Sequence, residues 1–286
     1  MRLASFQTTG GRQGFGEVLA DGSIADLGTP EIPGLRQALA TWGLSGIVAR
    51  AAQPGLARIA AGAFRWLPPI VDPDKIICVG LNYRRHAEEA GMALPKYPSM
   101  FVRFANSQVG HEEPTIAPTN SGDYDFEAEL AVIIGRGGRH ISAETAKEHV
   151  AGYACFAENS VRDFQRHAAQ ATPGKNFEAS GAFGPWITTA DAVPNLDEAH
   201  VIGRLNGQVM QDEPLSNLIF SIEAIISYAS SFTRLEPGDV LVTGTPAGVG
   251  MARKPPVWLK PGDVFEVDIT GVGLLRNPVA AEGAAR

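Results

Sequence analysis

The chain has 286 residues, 44% of them hydrophobic and 19% charged, with a formal net charge of −7. This describes a globular protein of one large domain, or of a large and a small one. The acidic balance excludes non-specific binding to nucleic acid or an anionic membrane, since both need clustered Lys and Arg.

Cys78 and Cys155 are the only cysteines, too few for a disulfide framework or a zinc ligand set. The opening Met1-Arg2-Leu3-Ala4-Ser5-Phe6 has no apolar leader run. No window approaches the roughly 18 apolar residues of a membrane span. A cytoplasmic protein with no membrane segment is expected.

Residues 1–68 read as a small N-terminal domain. Met1 to Phe6 and Gly16 to Leu19 alternate like strands, and Ala20-Asp21-Gly22-Ser23 forms a hairpin-type turn. Leu35 to Ala61 has helical spacing, broken at Pro54-Gly55. Pro68-Pro69 marks a boundary, and residues 69–286 form the second domain, starting with a short buried strand, Lys75 to Gly80.

Asn82 and Gly91 bracket a two-turn helix as N-cap and C-terminal stop. His86 and Glu89 lie three apart on one face of it, so the carboxylate can orient the imidazole as a general base; a solvated surface turn would show the same spacing. Pro98 to Phe104 is a strand whose Arg103 either snorkels to the edge or meets an anion.

Tyr124-Asp125-Phe126-Glu127-Ala128-Glu129 leads into the apolar run Leu130 to Gly135. Period-two alternation sends Glu127 and Glu129 from the same face. Two adjacent carboxylates at a buried strand would repel, and a divalent cation removes that cost. Hard oxygen ligands favour magnesium, manganese or calcium over zinc. A solvent-facing edge is the other reading.

Ser142 to Tyr153 has helical spacing with Ser142 as N-cap. Glu158 ends the next apolar run and is a third candidate ligand; Arg162 and Gln165 are again three apart. With three carboxylates and one dication the site would carry −1, and Lys175, otherwise a turn lysine, would neutralise it. The last third is mostly β: Val201 to Leu205, Gln208 to Asp212, Val240 to Thr243 and Val264 to Ile269, with a helix from Ser221 to Phe232. Pro237-Gly238-Asp239 and Pro261-Gly262-Asp263 are tight turns. The Gly-rich stretch Thr243 to Gly250 lacks the ending of a nucleotide P-loop and reads as a carboxylate or enolate cradle. Residues 280–286 are expected to be disordered.

Four stretches resemble the fumarylacetoacetate hydrolase family: Val79 to His86, Phe126 to Gly135, Gly152 to Gln165, and Pro237-Gly238-Asp239 through Gly250. Together they span roughly residues 70 to 278. The resemblance implies an α+β, mostly β fold, with a mixed β-sandwich or β-roll catalytic domain behind the small N-terminal α+β domain. It also implies a homodimer or higher oligomer, and magnesium or manganese held by three carboxylates.

By position, Glu127 and Glu129 match the first two ligands. The third is usually an Asp five residues before the Asp of an Arg-Asp pair, which lands on Glu158, a departure by one methylene. His86 and Glu89 match the water-activating dyad, and Lys175 the lysine beside the metal. Arg162, Gln165 and Thr245 match groups that hold the substrate's oxygens; Arg103 stands where many members have Lys and is expected to bind substrate, its planar fork bearing on which substrate anion is accepted.

The implied reaction is hydrolysis of a carbon–carbon bond in an anionic 1,3-dicarbonyl 2-oxo acid of the acylpyruvate kind. Its competitors are an oxaloacetate-type decarboxylase or lyase, an isomerase of unsaturated dicarboxylic acids in aromatic catabolism, and a non-catalytic keto-acid binder.

Overall fold

The computed structural model describes residues 1–283. In chain order the first strands are β1 (Arg2–Thr8), β2 (Gln13–Val18), β3 (Ile24–Asp26), β4 (Arg58–Ile59), β5 (Phe64–Leu67), β6 (Ile76–Gly80) and β7 (Ser99–Arg103). Then come β8 (Gln108–Val109), β9 (Thr115–Ala117), β10 (Tyr124–Asp125), β11 (Ala128–Ile134), β12 (Val150–Ala157), β13 (Ser160–Val161) and β14 (Gly181–Thr189). The last are β15 (His200–Leu205), β16 (Gln208–Pro214), β17 (Val240–Val242), β18 (Val264–Ile269) and β19 (Gly273–Ala281). The helices are α1 (Leu35–Ala51), α2 (Arg84–Glu89), α3 (Arg162–Gln165), α4 (Thr172–Lys175) and α5 (Ile222–Phe232). The fold is mixed α+β and mostly β.

The long sheet runs β4-β3-β2-β1-β14-β12-β11-β17-β6-β7, with β5 on β1 and β8 on β14; the second sheet runs β16-β15-β18-β19-β9. Strand β11 is buried along its whole length because both of its faces are covered. Leu130, Val132 and Ile134 point into the core shared with Val201, Val267, Ile269 and Leu275 of the second sheet. Ala131 and Ile133 point the other way, into the core made with Leu35, Leu39 and Ile47 of α1. Two covered faces explain the unbroken apolar run, at about 1.5–3 kcal/mol for each large aliphatic side chain fully buried. In β18, by contrast, Phe265, Val267 and Ile269 are buried while Val264, Glu266 and Asp268 are half-buried, so the alternation survives.

Residues 1–68 share this sheet with the rest of the chain. β1 pairs with β14 through Arg2–Thr188 and Leu3–Ile187, and α1 covers the central strands.

Some expectations need correcting. α1 stops at Ala51, before Pro54, and the tail of the expected helix instead forms β4 on β3. The helix expected over Ser142 to Tyr153 is a 3₁₀ turn at Ala146–His149 followed by β12. Every residue of β12 is buried between β11 and β14, and a Cβ on Gly152 would lie 2.3 Å from Thr188 O. Two-sided burial made the spacing of its small side chains resemble a helix. At the C-terminus, Ala280 and Ala281 end β19, and Glu282 accepts hydrogen bonds from Thr119 N and Oγ1. The rest of the expected disordered tail, 284–286, lies outside the described residues. No helix among the described residues is long and apolar enough to cross a membrane.

Candidate active site

Four strand ends meet at one edge of the long sheet. β11 is antiparallel to β12 and β17, so its start, the end of β12 and the end of β17 lie together; β6 runs parallel to β17 and ends beside them. The start of β11 carries Glu127 and Glu129, and the residue after β12 is Glu158. Phe126, Ala128 and Leu130 face one core, so Glu127 and Glu129 alternate to the other side, and the Ala128 amide between them donates to Gln211 Oε1. Glu127, Glu129 and Glu158 each offer an oxygen within 4.8 Å of the others. All three are buried, at 4%, 2% and 2% exposure, which removes the solvent-edge reading.

The two glutamates of β11 meet opposite electrostatics. Glu127 accepts from Arg162 Nη2 (2.7 Å), Lys175 Nζ (2.5 Å) and Ser160 Oγ (2.9 Å). Burial opposes its ionisation, but Arg162 and Lys175 together outweigh burial and hold its pKa below the ordinary value. Glu129 accepts from the Gly244 amide at 2.7 Å and pairs with no cation among the described residues. Burial, then the charges of Glu158 and Glu127, push its pKa well above the ordinary range.

Lys175 is no surface lysine. It is 3% exposed and also donates to Glu158 Oε2 at 2.8 Å, and its ammonium lies 5.0 Å from the Phe101 ring centre. Burial would strip its proton, but Glu127 and Glu158 more than compensate and raise its pKa.

Arg103 meets an anion, and that anion is the chain's own. It donates to Glu158 Oε1 (3.2 Å), Asn159 O, Ser107 Oγ and Ser180 Oγ. Expected as a substrate-binding group, it stands behind Glu158, outside the cleft lining. Arg162 is likewise committed: Nε to Asp125 Oδ2 (2.7 Å), Nη1 to Gln165 Oε1 (2.9 Å) and Nη2 to Glu127.

The charge arithmetic therefore changes. Asp125, Glu127 and Glu158 are matched by Arg103, Arg162 and Lys175, leaving Glu129 as the odd carboxyl. A hard divalent cation fits this set of closely spaced, buried oxygen donors. With Glu129 ionised beside it, the cluster would carry a net charge of +1, suited to an anionic ligand.

The cleft above the triad has a volume of about 550 Å³, lined among others by His86, Arg162, Gln165, Lys175 and Thr245. His86 and Glu89 sit on α2, with Nδ1 of the ring 3.2 Å from Glu89 Oε2. The helix ends as foreseen. Gly91 takes φ +65°, its amide donates to Glu88 O, and the Met92 amide donates to Ala87 O, a Schellman closure.

Asn82 is not its N-cap, a place that falls to Tyr83 without a side-chain bond. The Asn82 amide is buried instead, donating to Phe220 O and Thr243 O and accepting from Phe220 N. It ties the start of α2 to β17.

The Gly-rich loop does cradle carboxylates, but they belong to the protein. Gly244 N holds Glu129, Gly248 N holds Glu89 (3.0 Å), and Gly250 N holds Asp125 (2.7 Å). Gly248 has φ +104°, and a Cβ there would lie 2.2 Å from Met210 O, so only glycine fits. Thr245 Oγ1 donates to Ala128 O and accepts from Gln211 Nε2.

Sequence reasoning passed over Asp125 and Ser160, although both stand inside the motifs it singled out. A buried Asp one residue before an apolar aromatic was the available signal for Asp125. The partners of the loop amides lie up to 159 residues away, and no spacing rule reaches that far.

The buried acidic triad could hold a divalent cation, beside matched cations and an adjacent His–Glu pair. Comparison with known proteins agrees. The family model described as fumarylacetoacetate (FAA) hydrolase C-terminal matches residues 75–280, and the chain belongs to this family.

It is 42% identical over 215 residues to the mitochondrial oxaloacetate tautomerase fahd2 of Xenopus laevis, covering 74% of this chain and 67% of that one. The structure of a fumarylacetoacetate hydrolase from Exiguobacterium antarcticum superposes with a TM-score of 0.84 at 33% identity, over 99% of this chain and 100% of the other. Maleylpyruvate hydrolase from Sphingobium sp. SYK-6, solved with manganese(II) and pyruvate, gives 0.80 at 32% identity over 98% and 99%.

Proposed function

We propose that this protein interconverts the keto and enol forms of a short 2-oxo dicarboxylic acid, with oxaloacetate the first substrate to try. The observation that carries the reading is the 42% identity to an oxaloacetate tautomerase, taken with a His–Glu pair facing a triad that fits a divalent cation. This departs from the C–C hydrolase expected from the sequence. The two reactions share their first requirement, a base beside a polarised carbonyl.

A divalent cation held by Glu127, Glu129 and Glu158, magnesium or manganese before calcium, would supply Lewis-acid polarisation of the carbonyl. His86, oriented by Glu89, takes the proton from the methylene carbon next to that carbonyl. The C–H pair becomes the new C=C bond, the carbonyl π pair moves to oxygen, and the oxygen receives a proton to give the enol. No carbon is lost and no water is consumed. Lys175 places a fixed positive charge beside the oxygen on which negative charge develops. Gln165 and Thr245 line the cleft as groups that shape the substrate's seat.

C–C hydrolysis remains the second reading, supported by the likeness to maleylpyruvate hydrolase. There His86 would deprotonate water instead of carbon.

The test follows the ultraviolet band of enol-oxaloacetate as it relaxes, with magnesium and with chelator, and assays pyruvate in the same samples. Metal-dependent relaxation without pyruvate supports tautomerisation. Relaxation at the chelator rate refutes it, and pyruvate or an acid released from acylpyruvates moves the assignment to lyase or hydrolase.

A further inference from the structure

We propose that Arg166 is the specificity-determining residue of this site, receiving the distal carboxylate of a dicarboxylic substrate and setting it apart from 2-oxo monoacids. The inference rests on the 2-oxo acid reading above and names the feature that would separate a diacid from a monoacid.

Arg162 spends all three nitrogens on Asp125, Gln165 and Glu127. Lys175 spends its ammonium on Glu127 and Glu158. Arg103 lies behind Glu158 and is fully engaged. Each of these is at least 95% buried and holds the floor of the site. A floor built this way can take one end of a substrate but offers no guanidinium to the other.

Arg166 differs from all three. It lines the same cleft, its side chain is 60% exposed, and its ion-pair partner, Asp123, sits at a long 3.4 Å. It follows Arg162 by four residues, so it continues the same side of the chain outward from the floor toward the rim. Ala168, Ala169 and Ala171, with their small side chains, line the same cleft.

A planar guanidinium with free donors is suited to bidentate capture of a carboxylate. Trading the long contact to Asp123 for a substrate carboxylate costs little, because an exposed pair at that distance is worth at most about 1 kcal/mol.

Calorimetry on the magnesium-loaded protein tests this with two ligands of equal carbon count. Oxaloacetate carries a carboxylate where 2-oxobutyrate carries a methyl group. The wild-type protein is expected to prefer oxaloacetate. Arg166→Gln should weaken oxaloacetate by about 10-fold, the scale of one hydrogen bond to a charged group, and leave 2-oxobutyrate within about twofold. Arg166→Lys should restore part of the preference, and Asp123→Asn should strengthen oxaloacetate binding by freeing the guanidinium.

Equal losses for both ligands, or no loss for either, overturns the proposal. An Arg166-dependent preference in a protein that does not tautomerise oxaloacetate supports this inference while the functional reading falls. Tautomerisation with a preference that ignores Arg166→Gln does the reverse.

Discussion

The floor and the wall of the cleft are built on opposite plans. The floor is three glutamates at the ends of central strands, each at most 4% exposed and fixed by cations or a backbone amide. The wall is His86 and Glu89 on a six-residue helix, with side chains 12% and 23% exposed. α2 is held from below by Asn82 and from the side by one amide, Gly248 N, on Glu89. A metal site gains from rigidity, because misplaced ligands lose affinity. The proton transfer we propose for His86 requires substrate to pass, and a short helix on few tethers suits that. The same loop, Gly244 to Gly250, touches both parts and sets their spacing.

The strongest way to break the comparison is at the one carboxyl without a cation. Glu129→Ala should abolish metal binding, measured as bound metal per chain after gel filtration; a full equivalent retained would refute the ligand set. Next, Arg162→Met leaves Asp125 buried without its cation and Glu127 with Lys175 alone. It should lower stability by about 3–5 kcal/mol, read as a drop in the urea midpoint, and a midpoint like the wild type's would mean the pair is not buried in solution.

His86→Ala tests the wall alone. kcat should fall by ~100-fold while metal affinity stays near wild type. Metal affinity falling in step with turnover would tie α2 to the floor.

The smallest effect concerns pH. The raised pKa of Glu129 means the metal-free fold holds a proton that the unfolded chain releases above the ordinary glutamate value of 4.5. Metal must displace that proton, so the Tm gained on adding magnesium should widen as pH rises from about 5 toward 7. The limit is about 1.4 kcal/mol per pH unit for one proton displaced. A constant gap would mean that Glu129 is already ionised without metal.

Much of the floor was legible in the chain. Glu127, Glu129 and Glu158 could be picked out because carboxylates at the edge of apolar runs are costly unless something pairs them. His86 and Glu89 followed from helical spacing.

What stayed hidden was which cation meets which anion. Arg103 was expected to face substrate, yet it pairs with Glu158, across 55 residues, and spends its other donors on Asn159 O, Ser107 and Ser180. The Gly-rich loop was expected to hold a ligand's carboxylate and instead holds Glu129, Glu89 and Asp125. The start of β12, Val150 to Tyr153, was read as helix because burial on both faces erases the period-two signal that marks a strand. Each error concerns a partner brought in by topology, and local pattern carries no record of it.

In the tautomerisation we propose, the dyad moves a proton at carbon over a metal-loaded floor. Exchange of the oxaloacetate methylene protons with deuterated water, followed by proton NMR, tests it most directly. The account predicts exchange accelerated by the magnesium-loaded protein, reduced to the background rate by chelator and by about 100-fold in His86→Ala, with the four-carbon acid intact. Exchange no faster than in chelator, or equally fast without His86, would contradict it.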